Sequence, residues 1–139
     1  MAGELIGSYS PSEVSLTVSG INMSGFFDGT FITCAKEDNE LYKRHVGAYG
    51  EVSRTKNNNI SGTITFTLKK TSPSNKQLDI FKLLPASFPV MVKNNSDSKH
   101  MAVSTSAWIG TDPDIEYGDE ESGVEWVIHC ADLIMSHLP

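Results

Sequence analysis

The chain has 139 residues, 39% of them hydrophobic and 20% charged, which is room for one domain with a real core and too little for two. A formal net charge of −6 argues against tight nucleic-acid binding, because that affinity comes mainly from Lys and Arg neutralising phosphates. Two distant cysteines, Cys34 and Cys130, describe no disulfide framework, and no apolar run approaches membrane-spanning length, so no membrane insertion is expected.

Residues 1–12 read as a polar, Gly-rich arm outside the core. They lack the basic start and apolar run of a signal peptide, which points to a cytoplasm-like compartment. Residues 13–19 alternate Val14, Leu16 and Val18 with Ser15, Thr17 and Ser19, the period of a two-faced strand. Residues 20–29 carry three glycines and suit a bent connection. Residues 30–36 form a second strand. Residues 41–46 and 51–56 read as extended, joined by a tight turn at 47–50. Asn57, Asn58 and Asn59 read as a polar tip, because Asn tolerates left-handed backbone.

The stretch 60–84 carries the clearest pattern. Ile64, Phe66 and Leu68 face one way, and Thr63, Thr65 and Thr67 the other. Ser72 and Pro73 then predict a helix start, Ser72 accepting hydrogen bonds from free N–H groups of the first turn. Leu78, Phe81 and Leu84 follow at helical spacing, widened by Ile80 and Leu83, and Pro85 ends the helix at about 73–84. Strands follow at 88–93 and 99–109, with a hairpin turn at 94–98. An acid-rich loop spans 110–123, and a last strand 123–135 turns Val124, Trp126, Ile128 and Cys130 to one face. Trp108 and Trp126 both read as core. These segments predict a mainly β domain: two packed β-sheets or a partly closed barrel, with one flanking helix.

No site chemistry stands out. His45, His100, His129 and His137 follow no metal-ligand spacing. His129 and Cys130 are adjacent in a strand, so their side chains point to opposite faces and form no catalytic pair. The loop 112–121 lacks the ligand order of a calcium loop. No phosphate loop or nucleophile elbow is present. No enzyme, cofactor or metal is therefore expected. The threonine faces offer two readings, an ordinary solvent face or the wall of a wide aqueous space shared by several subunits. In the second reading, small hydroxyls with few cations would let DNA pass without sticking.

Four blocks of the sequence resemble the inner tail-tube proteins of contractile-tailed bacteriophages: SEVSLTVSG, FFDGTFITCAKEDN, KRHVGAYGEVSRTKNNNISGTITFTLKKTSPSN and AWIGTDPDIEYGDEESGVEWVIHCADL. The third is the most specific. It joins a Gly-x-x-Gly-Glu turn, an extended arm with an Asn pair, a Gly-Thr-hydrophobic-Thr strand and a Thr-Ser-Pro-Ser-Asn helix start. The resemblance covers nearly the whole chain and extends to the tube protein of type VI secretion.

It implies a single tail-tube domain over 1–139, hexameric rings stacked into a tube, and DNA leaving through the lumen. It also implies a surrounding sheath, tape-measure, baseplate and tail-terminator partners, a place in the virion, and assembly in the host cytoplasm. The arm 47–59 is the expected contact between subunits or rings, through Arg44, Gly47, Tyr49, Gly50, Glu51, Arg54, Lys56, Asn57 and Asn58. Its expected counterpart is a neighbour's acidic loop, through Asp112, Asp114 and Glu116. Thr63, Thr65 and Thr67 are the lumen-facing candidates. A secretion-type tube and a monomeric β-sandwich binding module are the rival readings.

Overall fold

A computed structural model describes residues 7–96 and 99–137. A single 3-10 turn at Pro11–Glu13 leads into β1 (Val14–Val18), which buries Leu16 and Val18. The other strands are β2 (Ile21–Asn22), β3 (Ile32–Lys36), β4 (Tyr42–Val46), β5 (Val52–Lys56), β6 (Gly62–Lys69), β7 (Phe88–Asn94), β8 (His100–Ile109), β9 (Gly123–Cys130) and β10 (Ile134–His137). Among the described residues one α-helix, α1 (Ser74–Leu83), interrupts them. Residues 1–6 of the expected arm and 97–98 of the expected hairpin turn lie outside the described residues.

Eight strands form one continuous sheet in the order β2-β1-β7-β8-β9-β6-β3, with β10 also on β8, while β4 and β5 pair only with each other. The large sheet folds across itself around a single core but its end strands do not meet, so the barrel is partly closed. Alternation explains the layering. In β6, Ile64, Phe66 and Leu68 are buried, and Thr63, Thr65 and Thr67 stay half-exposed on the opposite face. In β9, Val124, Trp126, Ile128 and Cys130 are buried in the same manner.

The fold-over happens in β8. Its first half pairs with β7 on one edge and β10 on the other, and its last residues pair with β9. The partners Ala107↔Cys130 and Val103↔Ile134 share one register, so β9 and β10 are one strand broken at 131–133. Opposite the break, β8 bulges between Ser104 and Ala107 against β7. Pro89 sits at the same level of β7 and has no N–H to give. The N–H groups of Thr105 and Ser106 turn instead to the Asp132 carboxylate, at 3.2 and 3.1 Å. Bulges bend strands and increase twist, and this one allows β8 to serve both halves of the sheet.

α1 starts as its sequence dictates: Ser74 donates its N–H to the Ser72 hydroxyl at 3.2 Å. It ends where Leu84 turns extended before Pro85, since a residue preceding proline is driven out of the helical region. The Trp126 indole N–H donates to the Asn75 side chain at 2.9 Å and ties α1 to β9.

The expected apolar stripe is corrected in part. Leu78 is fully buried and Phe81 half-buried against Phe88, whereas Ile80, Leu83 and Leu84 are exposed. Trp108 is a second correction. Its position in β8 places it on the face opposite buried Ala107, and it is 46% exposed, while Trp126 is core.

Candidate assembly surfaces

β4 and β5 make a ribbon that stands clear of the core, every residue of both strands exposed. The predicted contact residues 47–56 form its turn and second strand, and Arg44 lies in its first. The turn is closed by the Gly47 N–H to Glu51 carbonyl bond at 2.7 Å, and Gly50 takes φ +84°, a conformation natural to glycine. Gly47 leaves room for the Glu51 carboxylate, which a Cβ there would strike. Tyr49, at the turn, is 97% exposed.

Antiparallel pairing puts Arg44 directly opposite Arg54, Tyr42 opposite Lys56 and Val46 opposite Val52, all on one face. The Arg54 guanidinium leans over the Tyr42 ring, 4.2 Å from its centre. Among the described residues the ion pairs are those of Lys82 with Asp79 and Asp112, so the ribbon's arginines have no carboxylate partner.

Asn57 is not at a tip. It closes the base of the ribbon, its amide donating to Asp38 and to the Glu40 carbonyl, each at 2.7 Å. Its N–H donates to the Leu41 carbonyl. Its backbone is not left-handed; among the described non-glycine residues Ser19 alone is. Asn58 is exposed beside it. Asp38 was not foreseen. Its carboxylate accepts the Glu40 N–H and the Asn57 amide, which hold its pKa below the ordinary 3.8.

The acidic loop 110–122 carries six carboxylates and no Lys or Arg. Asp112 is already engaged, 2.8 Å from Lys82 of α1. The Lys70 ammonium donates to the Glu116 carbonyl and lies 4.3 Å from the centre of the Tyr117 ring. Clefts flank the loop on both sides. One of about 390 Å³ opens toward α1, and one of about 380 Å³ opens toward β9, lined by Asp112, Asp114, Glu116 and Glu125. Among the described residues, no group of three His, Cys, Asp or Glu side chains is placed to hold a metal ion.

The predicted arm and loop do not meet within the chain. The ribbon leaves from the end of β6 where Gly62 pairs with Lys36, and the loop returns at the end where Lys69 pairs with Gly123. Seven strand residues, about 23 Å, separate the two ends.

Thr63, Thr65 and Thr67 line the outward face of the β3-β6-β9 sheet. Ala35, Thr63, His129 and Trp108 form one cross-strand row, Thr33, Thr65 and Val127 the next, then Thr67 and Glu125. The Trp108 and His129 rings stack at 6.0 Å. These rows contain no Lys or Arg, and exposed Lys69, opposite Gly123, ends the same face of β6. The outer edges of β3, β2 and β10 have no partner strand among the described residues.

Residues 8–136 match the family model of the bacteriophage PhiTE tail tube protein. The chain belongs to this tail-tube family. It is a structural family and not an enzymatic one. Its fold is similar to that of the tube-terminating cap of an anti-feeding prophage, with a TM-score of 0.62 at 9% identity over 99% of this chain and 95% of the other. It is similar also to a sheath/tube terminator of an extracellular contractile injection system, TM-score 0.62, 10% identity, over 97% and 99%. A chain of that system's sheath-tube complex gives TM-score 0.61, 9% identity, over 94% and 93%. At such identities the likeness is one of tail-tube fold. A sequence comparison with curated proteins finds no match.

Proposed function

We propose that this tail-tube protein is the inner-tube subunit of a contractile phage tail. Six copies form a ring, rings stack into a hollow tube inside a sheath, and the genome passes through the lumen at ejection. The observation that carries this reading is the tail-tube family match over residues 8–136. The exposed ribbon and the outer edges of β2, β3 and β10, unpartnered among the described residues, support it, because unpartnered strand edges are surfaces that assembly covers. Tape-measure, baseplate and terminator proteins are the further partners of such a tube, and assembly in the host cytoplasm belongs to the same reading.

Arg44, Gly47, Tyr49, Gly50, Glu51, Arg54, Lys56, Asn57 and Asn58 are proposed contacts between copies, with Asp112, Asp114 and Glu116 as the acidic counterpart. Thr63, Thr65 and Thr67 are proposed for the lumen wall. Their support is a half-exposed stretch whose three cross-strand rows carry no Lys or Arg, the one cation of that face of β6 being Lys69 at its end, so DNA phosphates meet few cations there.

Electron microscopy of the purified protein tests the assembly. Six-fold rings and tubes are expected, and stable monomers alone would sink it. A maleimide-gold label on Thr65→Cys is expected inside the tube outline; label on the outside rules out the wall assignment.

The likeness to injection-system tubes favours one second reading, a tube that exports protein instead of DNA. Packaged DNA in purified particles decides between the two. The exposure of Trp108 removes one objection to a monomeric binding module, so a glycan-array binding measurement on monomer belongs beside the micrographs.

A further inference from the structure

We infer that His100 and His137 form a two-histidine site for a transition-metal ion of the zinc, nickel or copper class, which clamps the end of β10 to β8. The site is a property of the single chain and does not depend on the tube proposed above.

The two residues are far apart in the sequence, and no ligand spacing announces them. Register brings them together. His137 of β10 lies directly opposite His100 of β8, in a row that continues to Asn94 of β7 and Val14 of β1. Side chains directly opposite on antiparallel strands have Cβ atoms about 4.5–5.5 Å apart. The two imidazoles meet edge to face, with their centres 4.7 Å apart and their planes at 75°.

This separation suits a chelate. Metal–nitrogen bonds of about 2.0–2.1 Å put an ion about 3.2 Å from each ring centre, so two imidazoles on one ion at about 90–110° hold their centres about 4.5–5.2 Å apart. Rotation about the Cβ–Cγ bond re-aims the nitrogens of a ring and leaves its centre nearly in place. One nitrogen from each ring can thus be turned to a shared point with the backbone as it stands.

The surroundings select the kind of ion. Leu16, Val92, Ala102 and Met135 form the adjacent row of the same face and back the pair with apolar surface. Asn94 is the other polar side chain of the histidine row, and its oxygen already accepts the Ser96 N–H at 2.9 Å. Neither row holds a carboxylate, so magnesium and calcium, which need oxygen ligands, have no anchor there. Imidazole nitrogens suit zinc, nickel and copper. His137 is exposed, and the outer edge of β10 has no partner strand among the described residues, so water reaches the remaining coordination positions. An ion that binds the folded pair and not the unfolded chain stabilises the fold by mass action.

Titration calorimetry of the unassembled full chain, made without a polyhistidine tag, tests the site with Ni²⁺, Zn²⁺ and Mg²⁺ in turn. Ni²⁺ and Zn²⁺ are each expected to bind at one ion per chain, and Mg²⁺ not at all. His100→Gln and His137→Gln are each expected to weaken Ni²⁺ binding at least tenfold, while His45→Gln and His129→Gln leave it unchanged. Saturating Ni²⁺ is expected to raise the melting temperature of the wild type by about 3 °C or more and that of His137→Gln by less than about 1 °C. His137 is exposed at the end of its strand, so this variant is the one that keeps its fold, and circular dichroism checks it. Absence of Ni²⁺ and Zn²⁺ binding overturns the site, as does Mg²⁺ bound equally well or Ni²⁺ binding that survives His137→Gln. A wild-type melting temperature that saturating Ni²⁺ leaves unchanged overturns the clamp.

Discussion

The Asp132 carboxylate holds Thr105 twice, accepting its N–H at 3.2 Å and its hydroxyl at 2.6 Å. It also accepts the Ser104 hydroxyl at 3.0 Å and the Ser106 N–H at 3.1 Å. One side chain thus satisfies the groups that the β8 bulge takes out of the ladder. These donors, the Thr105 hydroxyl first, hold the Asp132 pKa below the ordinary 3.8.

Asp132→Ala is expected to cost about 1–3 kcal/mol, the usual loss when a charged acceptor of several hydrogen bonds is removed. The pH dependence has a definite sign. A depressed folded pKa means that the contribution is complete above 3.8 and fades as pH falls through the folded value. Denaturant melts of wild type and Asp132→Asn should therefore differ at pH 7 and converge in acid. A gap that stays constant down to pH 2 would mean the carboxylate is not the reason.

Much of this architecture is visible in the sequence because it rests on period-two alternation. Ile64, Phe66, Leu68 and their threonine partners declare both faces of β6 without help from the rest of the fold. What alternation cannot carry is long-range. Asp132 lies 27 residues from Thr105, and only the pairing of β8 with β9 and β10 brings them together. Trp108 fails for a related reason. Its residue type suggests core, but its face is set by the bulge three residues earlier. Asn57 has the composition of a turn tip, yet its value lies in donors that reach back across the ribbon to Asp38 and Glu40. The ribbon and the acidic loop are legible as opposite charge blocks, while their separation along β6 requires the register.

Gly25 carries a local version of the same dependence. Its φ is +76°, and a Cβ there would lie 2.7 Å from Cβ of buried Ser72. Gly20 has a similar φ of +83° with open space around it. Gly25→Ala should cost about 2–4 kcal/mol, combining left-handed strain with overpacking, and Gly20→Ala only about 1–2 kcal/mol. Thermal melts of the two variants isolate the clash. Equal losses would show that the helix start at Ser72 yields freely.

The cysteines give a kinetic test of packing. Burial pushes the Cys34 thiol up to about 11, and the nearby Cys130 adds to this. Cys130 is raised too, chiefly by burial. Thiolate is the reactive form, so native protein at pH 8 should react with an aromatic disulfide reagent far more slowly than unfolded protein. The slow rate should rise with denaturant as unfolding does. A fast stoichiometric reaction of one thiol in native protein would show that the β3 edge opens locally.

The helix separates what stabilises one subunit from what assembly covers. Leu78 is fully buried, so Leu78→Ala should cost about 2–5 kcal/mol. Phe81 is half-buried, its ring 5.3 Å from that of Phe88, so Phe81→Ala should cost less, about 1.5–3 kcal/mol. Ile80 and Leu83 are 57% and 79% exposed, and their replacement by Ser should change monomer stability by about 0.5 kcal/mol or less. Chemical denaturation of the monomers ranks these expectations directly. The same Ile80→Ser/Leu83→Ser protein then bears on assembly. If tubes form and bind sheath normally, these two side chains are ordinary exposed residues. If the monomer is unchanged but tubes or sheath binding are lost, the outer stripe of α1 is an assembly surface. A large loss in the monomer itself would instead mean that α1 packs with a different face than the one described.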